Sequence, residues 1–502
     1  LPAAYEDNPY LEVVRPIPNP SPLEGKIVES PFFDATFHTE RQHEFLPVVI
    51  TPESEYDNVL RYAHEDKPWP DYFKPMFMAF WQRHVKQVNE QIDAQEARDD
   101  MKKNGSPGWP WNMSHATKQN VLDDPDYSQV ADEYWCQAGS ELCFQRVWHL
   151  IPKDEKLPKA KIESGRARTI KGPPIEVLEL GKRICNDFNE SFYDNRFKNH
   201  STLGINVLGG DIHHLVSRLT RIFTAAKPTL VSPKERMFFD SDGSKWDATS
   251  MCISAFECIA QLRFESFLPQ YQTVAMYNRL TNLYKEVIHT YFTSISGFIL
   301  RKHTGNTSGQ PSTSEDNTLI SAFSYFIALA HLSDKDPETI AQWYCNGDDN
   351  ICCCIDPNIT YDKFVCWCKE NMGVVFSRDT VPGDKWALTS SSYLSHSFEN
   401  IDGVWYGKPR LDKVLSILEY TKRSHMYDPV IYLGQVSAAL AHLVCYPDVY
   451  YLVYADAQRF IAEFSDLSDG TVPEWDGIVG SIVPYSVMLR AQAGPYWGST
   501  LY

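Results

Sequence analysis

The sequence predicts an α+β fold, with short strands joined as hairpins among helices. Three observations lead there. Apolar runs of strand length flank a tight acidic turn in QWYCNGDDNICCCI at 342–355. Helical periodicity runs through longer stretches at 249–268 and from about 313 to 332. The region after residue 410 is helix-prone, including DKVLSILEYTKR and VIYLGQVSAALAHLV.

Taken in order, the alternating Pro16, Pro18, Pro20 and Pro22 predict an extended polyproline strap. Periodicity with charged faces predicts helix from about 70 to 102, and SPGWPWN at 106–112 breaks it with Gly and Pro. RMFFDSD at 236–242 reads as a short buried strand, and YFTSISGFIL at 291–300 as a hairpin turning at Gly297. TGNTSGQPS is a loop that leads into the helix at 313. YDKFVCWCKENMG predicts a helix closed by Gly373, and SYLSHSF with VWYGKP a further hairpin. No internal repeat is found.

The 502 residues carry 65 acidic and 47 basic side chains, a net charge of −18. With 43 % hydrophobic residues the chain can bury a core, which excludes a disordered protein. The acidic balance excludes a uniformly basic nucleic-acid binder. One window departs from it. Residues 145–183 hold ten Lys or Arg against five acids, a local +5. Twelve cysteines are too dilute for a disulfide framework, and without paired C-x2-C spacing they predict reduced thiols rather than a zinc site. The N-terminus lacks the features of a signal peptide, and the apolar run at 320–332 is too short to span a bilayer. A chain starting at Leu1 suits a product cut from a polyprotein, and equally a trimmed one.

Three clusters carry chemistry. In NGDDN, Gly347 gives the turn its backbone freedom and sets Asp348 beside Asp349 between apolar strands. Adjacent carboxylates repel unless a cation joins them, although a solvated turn would also use these residue types. Asp242 ends a predicted strand, and Asp247 follows at a helix start, where it could also serve as a cap. Such carboxylates across neighbouring strands offer hard oxygen ligands for two Mg2+ ions. In SGQPSTSEDN, Ser308 and Gly309 form a loop, and Thr313 and Asn317 share a helical face. Thr313, Asn317 and Asp247 could together form a polar rim that reads a ribose 2′-hydroxyl, or the segment could simply be a capped helix start.

Asp242-x4-Asp247, Ser308–Asn317 and Gly347-Asp348-Asp349 resemble motifs A, B and C of viral RNA-dependent RNA polymerases, in order and spacing. The pattern is most similar to the picornavirus-like supergroup of positive-strand viruses, and SGQPST with DNTL is similar to potyvirus replicases. PKDEKLPKAKIESGRARTI at 152–170 resembles the basic motif F, with Lys153, Lys161 and Arg168 in register. Ser106–Pro110 resembles motif G, Tyr361–Lys385 motif D, and Tyr393–His396 motif E. Leu157 departs from the Arg usual in motif F, with Lys156 beside it.

The resemblance implies a right-hand polymerase fold with an antiparallel palm sheet backed by helices. Fingers would occupy 1–180, including the strap and motif F, and a first palm segment and fingers return 181–236. The palm would span 237–408 and a helical thumb 409–502. Asp242 and Asp348 would be the principal metal ligands, with Asp349 assisting. The ions would be Mg2+, with Mn2+ able to substitute. Lys153, Lys161, Arg166 and Arg168 would grip triphosphate, and Asp247, Ser308, Thr313 and Asn317 would bind nucleotide. Ser106, Gly108 and Gly309 would contact template, in preference to Trp109 and Trp111, which are read as core. Lys385 would be a general acid. Implied partners are RNA template and primer or nascent strand, ribonucleoside triphosphates and other viral replication proteins; a protein primer fits the resemblance, with de novo initiation the alternative. The setting would be the host cytoplasm, in a complex brought to membranes by partners. A reverse transcriptase or template-independent transferase would share the fold, and a scaffold would not need the carboxylates. The charge distribution predicts a basic tunnel inside an acidic exterior. The aromatic tail at 491–502 could enter the cleft or pack on the thumb.

Overall fold

Alternation along the strands decides where the central sheet lies. The computed structural model describes residues 8–17, 26–36, 42–85, 89–165, 167–225, 237–377, 388–468 and 472–497. Four antiparallel strands form the sheet in the order Ala341–Asn346, Asp349–Cys354, Met237–Gly243, Phe376–Ser377. Phe239, Trp343, Cys352 and Cys354 enter one core, with Leu319, Ile320 and Phe323 of the helix Thr313–Leu332. Phe238, Tyr344, Ile351 and Cys353 enter another, with Ile212, Leu215 and Leu219 of the helix Asp211–Ala225. Covered on both faces, these strands carry apolar residues on both sides over 238–239, 343–345 and 351–354, and most of their polar residues gather toward the end with the acidic turn. The three consecutive cysteines are buried, free thiols pointing alternately into the two cores.

A second sheet runs Leu11–Pro16, Phe298–Lys302, Tyr291–Thr293, Val147–Pro152, Thr169–Gly172. Its last two strands are an antiparallel pair with residues 153–168, the middle of the basic window, between them. Helices Leu411–Glu419, Pro429–His442, Pro447–Glu463 and Tyr485–Ala493 form the C-terminal unit, much of it around Leu433, Val436, Tyr450, Phe460 and Trp475.

The N-terminal segment ties these parts together. Leu11–Pro16 pairs with Phe298–Lys302, Ile27–Glu29 with Tyr420–Lys422, and Phe45–Pro47 with Lys156–Pro158. Phe33 is buried in the C-terminal core. Prolines 18, 20 and 22 of the expected strap lie outside the described residues.

Several expectations shift. The helix expected over 70–102 is two helices, Phe73–Gln82 and Ala94–Asp99. Asn89 breaks the run by bridging to Phe267, and Asp93 starts the second helix by accepting from the Glu96 N–H at 2.8 Å. The helix expected at 249–268 is Ile253–Ser266, preceded by the single turn Trp246–Thr249. In the C-terminal tail, the Tyr496 ring lies tilted against His213 at 4.4 Å, so this part packs on the helix Asp211–Ala225.

Candidate active site

Sheet register assembles the acidic cluster. Asn346 pairs with Asp349, leaving Gly347 and Asp348 as a two-residue turn, with Gly347 at φ 66°. Asp349 lies directly opposite Asp242, and the Gly243 N–H donates to the Asp348 carbonyl at 3.2 Å. Three carboxylates therefore meet at one end of the sheet. Asp242 is exposed, whereas Asp348 and Asp349 are partly buried. Burial, then the charges of Asp242 and Asp247, push the Asp348 carboxyl up to about 7. Burial also raises Asp349 well above the carboxylate range, opposed by the Leu394 N–H donating to it at 2.7 Å. This concentrated negative charge, all from hard oxygen donors, fits divalent Mg2+.

Asp247 does not cap its helix. It sits inside the turn Trp246–Thr249, and its carboxylate accepts from Ser308 Oγ and, at 2.9 Å, from Asn317 Nδ2. Asn306 Nδ2 donates to Asn317 Oδ1 at 2.9 Å, which fixes that amide's orientation. Thr313 is not in this group. Its hydroxyl donates to the Gln310 carbonyl at 3.0 Å, closing the first turn of its own helix.

The loop holding Ser308 and Gly309 is anchored from below by Lys302. This buried lysine donates to the carbonyls of Val287, Ile288, Thr304 and Gly305 at 2.7–3.0 Å. Gly309, at φ 104°, passes so close to the Lys171 carbonyl that a Cβ would lie 2.5 Å from it. The Lys171 N–H donates to the Ser308 carbonyl at 2.9 Å, joining the loop to the basic hairpin. Gly347 N–H donates to Thr318 Oγ1 at 2.8 Å, coupling the same helix to the acidic turn.

Sequence reasoning assigned nothing to Asn350. It accepts from Ser241 Oγ at 2.6 Å and from the Tyr325 hydroxyl, and donates to the Asp348 carbonyl at 3.1 Å. Its place beside two acids was the available signal.

The basic residues approach from two sides. Arg168 grips Glu155 with Nε at 2.7 Å, and Lys153 Nζ lies 3.9 Å from the same carboxylate. Glu155 first, and then Asp348 and Asp242, hold the Arg168 guanidinium firmly charged. Lys161 is exposed on the short helix Lys159–Glu163. Lys156, beside the Leu157 departure, is committed elsewhere: its Nζ donates to the Ser416 carbonyl at 2.5 Å. From the C-terminal unit comes Lys413, which the sequence did not reveal. Burial and the charges of Arg410, Arg168 and Lys161 lower its ammonium, while Asp349 opposes them. Arg166 and Lys385 lie outside the described residues.

Ser106 is exposed, and Gly108, at φ 81°, would place a Cβ 2.4 Å from the Pro173 carbonyl. That glycine permits close approach to the strand exit of the basic hairpin. Trp111 donates to Glu176 at 3.0 Å and packs on Tyr127, and Trp109 is half-buried.

A family described as viral RNA-dependent RNA polymerase matches residues 27–450. The chain belongs to the viral RNA-dependent RNA polymerases. Its polyprotein relatives include that of Bean yellow mosaic virus, 29 % identical over 332 residues. That match covers 64 % of this chain and 10 % of the polyprotein. The polyprotein of Sweet potato mild mottle virus is 29 % identical over 344 residues, covering 67 % of this chain and 9 % of the relative. This polymerase chain thus spans about a tenth of such relatives. A solved Sicinivirus 3Dpol RNA dependent RNA polymerase superposes with a TM-score of 0.72 at 15 % identity, covering 95 % of this chain and 97 % of that one. The polymerase therefore has the right-hand fold. Among the described residues no helix is long and apolar enough to cross a membrane.

Proposed function

We propose that this chain elongates RNA on an RNA template, joining ribonucleoside triphosphates to a primer 3′-hydroxyl and so copying a viral genome. The observation that carries the reading is the cross-strand pairing of Asp242 with Asp349, with Asp348 in the adjoining turn. Asp242 and Asp348, with Asp349 assisting, would hold two Mg2+ ions, which supply a more acidic 3′-hydroxyl and neutralisation of the triphosphate. The Leu394 N–H and the Asn350 side chain keep the turn in place while substrates exchange.

Arg168 and Lys153 lie ready for phosphate, exchanging Glu155 for triphosphate oxygens when nucleotide enters. Lys161 extends that positive edge, and Arg166 is assigned to nucleotide on the motif F resemblance alone. Asp247, held by Ser308 and Asn317, orients the ribose through its 2′-hydroxyl. Ser106, Gly108 and Gly309 line the template path, and Lys385 protonates departing pyrophosphate. Fingers correspond to 1–180, a first palm segment and fingers return to 181–236, palm to 237–408 and thumb to 409–502. Protein priming and recruitment to host membranes through other replication proteins complete the reading.

Primer extension on an RNA template with Mg2+ and ribonucleotides tests it. Wild type should yield template-directed product and Asp348→Asn almost none. Equal incorporation by both would remove Asp348 from the chemistry.

A further inference from the structure

Away from the acidic turn, three side chains distant in sequence converge. His84 follows the helix Phe73–Gln82, His200 lies beyond the helix Ile175–Asp194, and Glu338 sits in the turn Pro337–Ile340. Glu338 Oε1 is 3.2 Å from His200 Nε2 and 3.3 Å from His84 Nε2. All three atoms lie within 4.8 Å of one another.

The surroundings fix which nitrogens are available. His200 is buried, stacked on Trp343 at 4.1 Å, with Phe80 at 5.6 Å. Its Nδ1 lies 3.1 Å from the Trp343 carbonyl, which only accepts, so Nδ1 carries the hydrogen. In the neutral ring, which this apolar box favours, Nε2 then aims a lone pair at a carboxylate oxygen. His84 Nε2 is also buried, and it makes no hydrogen bond despite its approach to the same oxygen. Two imidazole nitrogens and a carboxylate oxygen thus face one another, an arrangement a cation completes.

We infer that His84 Nε2, His200 Nε2 and Glu338 Oε1 form a transition-metal site, suited best to Zn2+, separate from the catalytic carboxylates. Zinc bonds of about 2.0–2.1 Å in a tetrahedron give ligand–ligand edges of about 3.3–3.4 Å, close to the two separations to Glu338. Imidazole selects zinc over magnesium, and the Trp343 carbonyl supplies the outer hydrogen bond that orients a ligating histidine. The fourth position is left to water. The site would clamp three segments together at the edge of the palm sheet. His200 is already joined there, its carbonyl accepting from the Cys345 N–H at 2.9 Å, in the strand that leads to the acidic turn.

The test is zinc stoichiometry. Chelator-stripped protein receives Zn2+ with excess Mg2+ present to hold the palm carboxylates, and bound zinc is counted after gel filtration. Wild type and Asp348→Asn should each retain one zinc per chain, whereas His84→Gln and Glu338→Gln should retain none. Glu338 also pairs with Arg83 at 3.2 Å and His84 packs on Phe80, so circular dichroism first establishes that each variant is folded, and zinc is counted on that folded protein. Co2+ should give the visible bands of a four-coordinate N/O site in wild type alone. A wild type that retains no zinc, or zinc retained by His84→Gln or Glu338→Gln, overturns the assignment.

Discussion

Replacing Asn317 with alanine removes one of two hydrogen bonds that hold Asp247. The Asp247 carboxylate only accepts, so the Asn317 NH2 group faces it at 2.9 Å and the amide oxygen is left to accept from Asn306, also at 2.9 Å. A hydrogen bond to a charged acceptor contributes about 1.5–3 kcal/mol, so its loss corresponds to about a 10- to 150-fold effect. That effect should fall on the ribose, because Asp348 keeps its contacts to Gly243 and Asn350, and Asp349 its contact to Leu394. Single-nucleotide incorporation with matched ribo- and deoxyribonucleotides reads it as a ratio of kcat/KM values. Asn317→Ala should lower the preference for ribonucleotide by about that factor, mostly by losing ribonucleotide efficiency. Ser308→Ala should act in the same direction through the other oxygen. An unchanged ratio, with both substrates slowed alike, would refute the ribose reading and leave the pair a purely structural link.

Other consequences follow from single contacts. Arg168→Ala should raise KM for nucleotide and lower kcat/KM by about 10-fold or more, without changing template affinity, in steady-state extension assays. Lys302→Met should destabilise the chain by roughly 3 kcal/mol or more, because four buried carbonyls lose their shared donor; thermal melting would show it, and an unchanged Tm would argue against the staple. Burial pushes Glu286 from its ordinary 4.5 up to about 7, so the folded chain holds a proton there that the unfolded chain releases. Stability should therefore fall as pH rises between those values, and Glu286→Gln should gain on wild type by no more than about 3 kcal/mol across the window. A stability gap that stays constant from pH 5 to 8 in urea titrations would contradict this. Gly309→Ala should abolish extension while leaving the fold outside the loop intact by circular dichroism, because its Cβ would lie 2.5 Å from the Lys171 carbonyl.

Much of the site was legible because its parts are local. Asp348 and Asp349 share one turn, Asp242 and Asp247 one strand-to-helix junction, and Ser308 to Asn317 one loop and helix start. Residue order alone fixes such geometry to within a few ångströms. The helix from 313 and the Gly373 cap, at φ 73°, were readable for the same reason. Thr313 illustrates the limit: helical spacing put it near Asn317, but its hydroxyl turned back to the Gln310 carbonyl. The broken helix at 70–102 shows another, since the break is set by pairing of Asn89 with the distant Phe267.

The sequence by itself determined the polymerase motifs, the acidic turn and the basic window, each encoded within a stretch short enough for backbone preference and periodicity to settle. Tertiary structure decided register and convergence. Only strand pairing set Asp349 opposite Asp242, and only packing brought Lys302 beneath the loop and Lys413 from the C-terminal helices toward the carboxylates. These outcomes depend on contacts between residues far apart in the chain. No local pattern carries that information, because burial and loop closure select partners only once the whole core has formed.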